Sequence, residues 1–169
     1  MTNSKKIAYC AMLTALSMIF AYIETLIPFS FGIPGIKLGL ANLVVLTGLY
    51  FMPAGWVFTV LVLKVTLVSF LFGNLSMLIY SMAGGIVSFL VMLAVKKRKG
   101  FSIIGVSIAG GVSHNLGQLA VAAFVVESIA PLSYMPVLMI AGTAAGTVIG
   151  MVAYRVRKHL GKTYISGEK

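Results

Sequence analysis

The sequence predicts an all-α integral membrane protein, a single bundle of six transmembrane helices with both termini cytoplasmic. Three observations carry that reading. The chain is 60% hydrophobic and only 9% charged, whereas an ordinary soluble domain is about 25% charged. Its apolar residues fall into runs near the 17–25 residues that a spanning helix needs. Its basic residues cluster between those runs, at Lys5-Lys6, at Lys96 to Lys99 and from Arg155 to Lys162. A net charge of +10 would otherwise raise nucleic-acid binding, but clusters flanking apolar runs are how membrane proteins mark cytoplasmic loops.

The first span is read as residues 7–27, an uncleaved helix: it is too long for a signal-peptide core and no clear small-x-small cleavage site follows it. It stops in "PFSFGIPG", a loop with two prolines and two glycines. A second, short span covers residues 37–52, and Pro53 with Gly55 separates it from the third, residues 54–72. "GNLS" is a tight turn into the fourth span, residues 75–95, which "KKRKG" closes. The fifth runs over 101–126, "ESIAPLS" forms the next loop, and the sixth covers 134–154. Residues 155–169 read as a short basic cytoplasmic tail, and the whole chain as one membrane domain. With six spans, 11 of the 13 Lys and Arg residues share one side, all but Lys37 and Lys64; the positive-inside rule makes that side cytoplasmic. Cys10 is the only cysteine, so no intrachain disulfide forms, and a packed core thiol is expected.

Helices associate in lipid through small residues that allow close approach. Three such stripes are present: Ala8, Ala11 and Ala15 on span one; Ser76, Tyr80, Gly84 and Ser88 on span four; Gly142, Gly146 and Gly150 on span six. The glycine row is expected to pack within the bundle. Polar residues at membrane depth say more, because an ionisable group in a bilayer faces protein or a wet cavity. Thr14, Ser17, Ala21 and Glu24 share one face of span one. Lys37 and Asn42 occupy the outer third of span two, Lys64 the middle of span three, and His114, Asn115 and Gln118 span five. Together they describe a cavity opening outward. The structural alternative is a network in which Lys64 pairs with Glu24 and His114 bonds a neighbouring helix. Glu127, near a loop, is equally well a solvated residue.

The missing chemistry narrows function. There is no P-loop, no HExxH or Cys/His cluster for a metal, and no aspartate; the acids are Glu24, Glu127 and Glu168. A DDxxD-type centre holding magnesium and a diphosphate cannot be assembled from these. Neither catalysis nor a cofactor or metal is expected: the chain binds and moves something, or serves as a subunit.

"PGIKLGLANLVV" after the first span, with "SHNLGQL" in the fifth, resembles a family of small bacterial membrane proteins. These are known as heptaprenyl diphosphate synthase component I and also as Gx transporters. The resemblance covers nearly the whole chain. That family is similar in turn to the substrate-binding S-components of energy-coupling factor transporters, six-helix proteins of the bacterial cell membrane. They capture a vitamin-like molecule outside and dock onto a transmembrane coupling subunit with two ATPases. The resemblance implies an S-component-like bundle with those partners. It also implies docking through an AxxxA pattern, which Ala11 and Ala15 of "AMLTA" match. A flavin-like cargo is the expectation by association. In this reading the loop ending at Lys37 is an outer lid, Lys37 at a helix start attracts an anionic group, and Asn42, His114, Asn115, Gln118, Glu24 and Lys64 form the walls. The alternative is a non-catalytic membrane component of heptaprenyl diphosphate or menaquinone synthesis, with the basic loop Lys96 to Lys99 meeting a soluble synthase.

Overall fold

The computed structural model of the chain describes residues 2–26 and 39–166, and among them there is no strand. Six α-helices follow in order: α1 (Asn3–Leu26), α2 (Leu40–Phe51), α3 (Ala54–Phe72), α4 (Leu75–Lys97), α5 (Ile103–Val125) and α6 (Met135–Ser166), with a 3₁₀ turn at Ala130–Tyr134 before α6. Local chemistry sets several of these starts. The Asn74 side chain accepts the Met77 N–H at 2.8 Å and opens α4; the Ser102 hydroxyl accepts the Gly105 N–H at 3.1 Å and opens α5. Pro53 stands at the N-cap of α3, where it gives up no helical N–H. Beyond α5, Glu127 takes a left-handed φ of 51° and the Ser128 N–H returns to the Ala123 carbonyl, a helix-ending turn of the kind that glycine usually makes.

Five helices are long and apolar enough to cross a membrane. The sixth helix, α2, is apolar and shorter: its described part has 12 residues, about 18 Å, against a hydrocarbon core of about 30 Å. Its start is set by Gly39, whose φ of 73° is a left-handed conformation that glycine adopts without strain. A Cβ at Gly39 would also lie 3.2 Å from the Ile149 side chain. The other limit that shifts is the basic tail: α6 continues through it to Ser166, because Arg, Lys and Leu are good helix formers whether or not lipid surrounds them.

The helices pack as a ring. α1 lies against α2 and α3, α3 against α4, α4 against α5, α5 against α6, and α6 returns to α2. The α5–α6 seam is the glycine row. Cβ atoms at Gly142, Gly146 and Gly150 would stand 2.9 Å from the Gly111 carbonyl oxygen, 2.7 Å from Ile108 Cα and 2.7 Å from Ile104 Cα. These backbones touch, so the row is spent inside the bundle as expected. On α4, Gly84 meets α5 in the same way, a Cβ there falling 2.7 Å from the His114 carbonyl oxygen, and Ser88 donates to the Gly110 carbonyl at 2.8 Å.

The distribution of polarity is inverted relative to a soluble fold. Large apolar side chains such as Phe70 (74% exposed) and Ile140 (72%) face outward, while Ser17, Lys64, Ser69, Ser88 and Ser107 are buried. Lipid accommodates that exterior. The chain is therefore a multi-pass membrane protein. The predicted core thiol is also found: Cys10 is buried and its Sγ–H donates to the Trp56 carbonyl at 3.6 Å.

Candidate functional site

A cavity of about 230 Å³ lies inside the ring, and every helix contributes to its wall. α5 and α6 supply a smooth side from Gly110, Gly111, Gly142 and Gly146; α3 and α2 supply apolar surface through Leu61, Val65, Val68 and Leu46. Into this space project the polar residues that the sequence singles out. Glu24, Asn42, Lys64, His114, Asn115 and Gln118 all line it. Lys37 and the proposed lid lie outside the described residues. On α1 the face Thr14, Ser17, Ala21 turns inward as the spacing predicts, and Glu24 sits half-buried at its outer end.

The hydrogen bonding differs from the alternative network in which Lys64 pairs with Glu24. The Lys64 ammonium, 5% exposed, donates to Asn42 Oδ1 at 2.7 Å. Glu24 instead accepts the Leu40 backbone N–H at 3.0 Å through Oε1. The two charges are still near enough to interact electrostatically. Asn115 does not simply face the cavity: its Nδ2 donates to the Leu138 carbonyl of α6 at 2.7 Å, which ties the α5 and α6 walls together and leaves its carbonyl oxygen as an acceptor. His114 and Gln118 sit at the α4 contact, with His114 Cε1 and Gln118 Cγ both beside Gly84.

These bonds explain "GLAN", Gly39 to Asn42, physically. Gly39 starts the helix, Leu40 presents its N–H to Glu24, and Asn42 holds Lys64. Helix ends leave free backbone groups that protein must satisfy where water is scarce, and α2 meets this at both ends with charge of the right sign. Glu24 lies at the positive N-terminal end. At the negative C-terminal end, the Lys96 ammonium of α4 donates to the Leu49 carbonyl. Lys96 and Arg157 of α6 also stand 4.8 Å each from the centre of the Tyr50 ring, within cation–π range.

Sequence reasoning missed two features. Ser69 is buried, lines the cavity, and its hydroxyl has no hydrogen-bond partner among the described residues; as a lone serine in an apolar helix it carries no pattern. The Tyr50 clamp was equally hidden, since Lys96 and Arg157 each belong to clusters that topology alone explains. Outside the cavity, Ala8, Ala11 and Ala15 are exposed on α1 and form no contact face within the bundle. Among the described residues no group of three or more His, Cys, Asp or Glu side chains could hold a metal ion.

No curated protein and no solved structure matches the chain. A family model described as heptaprenyl diphosphate synthase component I matches residues 13–156. That match takes in both α2, with its Gly39–Asn42 turn, and the His114–Gln118 segment of α5. The residues that build the cavity wall are therefore those of a recognised membrane family, and the chain belongs to the heptaprenyl diphosphate synthase component I family.

Proposed function

We propose that this chain is the substrate-capture subunit of an energy-coupling factor type transporter, set in a bacterial plasma membrane with both termini cytoplasmic. The observation that carries the reading is the cavity: a largely apolar space lined by all the helices, onto which the scarce charged and amide side chains of a lipid-facing bundle converge. Intramembrane ionisable residues that line a space mark candidate substrate sites. Lys64, Asn42, Glu24, His114, Asn115 and Gln118 are the proposed binding residues, with Lys37 at the outer mouth. The volume of about 230 Å³ is below the 300–1,000 Å³ of pockets for drug-sized ligands, which favours a vitamin-like cargo smaller than the flavin expected by association. The exposed Ala11 and Ala15 are free to meet a coupling subunit, since close helix approach requires an unobstructed small-residue face.

Family membership supports a second reading, a membrane component linked to heptaprenyl diphosphate synthesis. Its contact surface would be the exposed Lys97, Arg98 and Lys99, with Lys96 already engaged by α2. In both readings the chain is not itself an enzyme. Affinity purification from native membranes in mild detergent separates them. Capture predicts recovery of a transmembrane coupling subunit and ATPases; recovery of a soluble prenyl synthase alone would overturn it in favour of the second reading.

A further inference from the structure

We propose that the cavity takes a small zwitterion of amino-acid size, its carboxylate on Lys64 and its ammonium on Glu24. The proposal rests on the capture reading and specifies its ligand. Among the described lining residues Glu24 and Lys64 are the two that carry formal charge, with His114 the other titratable group on the wall. Each is only partly used. The Lys64 ammonium has three donors, and its one partner among the described residues is the Asn42 amide oxygen. The Glu24 carboxylate gives one oxygen to the Leu40 N–H, and its second has no partner among the described residues. Leu40 and Asn42 are neighbours in the first turn of α2, so the two charges flank the same turn.

Electroneutrality then selects the ligand class. Charge moved into a low-dielectric interior costs several kcal/mol per ion unless it is paired. Among the described lining residues one acid and one base balance. A phosphate or diphosphate would bring two or more negative charges to the one ammonium among them, with the Glu24 carboxylate also on the lining. A zwitterion adds no net charge and gives each group its opposite. The volume agrees: about 230 Å³ lies below the 300–1,000 Å³ of pockets for drug-sized ligands and suits a small one. The remaining wall, including Leu61, Val65 and Val68, is apolar and suits an apolar side chain. The buried Ser69 hydroxyl is a donor waiting for an acceptor within that wall.

The test is equilibrium binding to the purified full chain in lipid nanodiscs. The probes are the common L-amino acids, the methyl esters and N-acetyl forms of those that bind, and inorganic diphosphate. At least one free amino acid should bind tenfold or more tighter than its ester and its N-acetyl form. Lys64→Met should abolish the preference over the ester, and Glu24→Gln the preference over the N-acetyl form. Equal binding of free and blocked forms, tightest binding of diphosphate, or no binding of any amino acid would overturn the proposal. If either variant fails to fold, the wild-type panel decides alone. The capture reading fails separately: should the amino acids not bind while a coupling subunit and ATPases still co-purify, the zwitterion is wrong and capture stands.

Discussion

Replacing Asn42 by leucine probes the most consequential bond in the molecule. Asn42 Oδ1 accepts from Lys64 at 2.7 Å, and the lysine is 5% exposed, so water cannot readily replace the lost acceptor. A hydrogen bond to a charged group contributes about 1.5–3 kcal/mol, and removing one partner of a buried charge costs about 3–5 kcal/mol when nothing substitutes. The cavity beside Lys64 allows some hydration, so Asn42→Leu should destabilise the bundle by about 2–3 kcal/mol. Lys64→Met removes the charge itself and leaves Asn42 an ordinary amide beside a cavity, so it should cost less. The double variant should then be more stable than the sum of the two singles implies, with a coupling of about 1.5–3 kcal/mol. Reversible unfolding in mixed micelles, followed by circular dichroism, measures all three. Strict additivity within about 0.5 kcal/mol would show that the pair does not interact and would refute the assignment of Asn42 as the anchor of Lys64.

Three further outcomes follow from the packing. Gly146→Ala drives a Cβ to 2.7 Å from Ile108 Cα and should destabilise the α5–α6 seam by about 1–3 kcal/mol. At Gly55 of α3 nothing lies within 4 Å, and Gly55→Ala should be neutral or stabilising by up to about 1 kcal/mol; the same unfolding assay compares them. Lys96→Met strips the cation from the C-terminal end of α2 and should cost about 1–2 kcal/mol, whereas Lys99→Met, at an exposed position, should change stability by less than about 0.5 kcal/mol. Ala11→Leu with Ala15→Leu should leave stability unchanged, since both positions are exposed, yet abolish recovery of a coupling subunit; undiminished recovery removes those residues from docking.

The polar wall was legible in the sequence because charge and amide groups are so scarce in this chain that their depth along each span places them. The inward face of α1, the glycine seam and the buried thiol follow from spacing in the same way. That α2 is short was legible, but its start at Gly39 was not. Hydropathy runs almost unbroken from Leu38 to Met52, and nothing in composition reveals that Gly39 adopts a left-handed φ. Nor could its caps be read, because they join residues distant in sequence: Glu24 with Leu40, and Lys96 with Leu49. The alternative network pairs Lys64 with Glu24, whereas the hydrogen bond of Lys64 goes to Asn42, a residue distant in sequence. A carboxylate near a helix N-terminus meets a backbone N–H and a favourable dipole, and Glu24 takes that bond. The continuation of α6 past Tyr154 was hidden because loss of hydropathy marks where a helix leaves lipid, not where it ends.

Native mass spectrometry of the chain released from nanodiscs, after gentle purification from its own membranes, addresses capture most directly. The cavity predicts a population one small molecule heavier than the bare chain, in a single stoichiometric step, that disappears in Lys64→Met while the protein remains folded. A bare chain under conditions that preserve other bound ligands, or an adduct equally abundant in Lys64→Met, would contradict a binding role for the cavity.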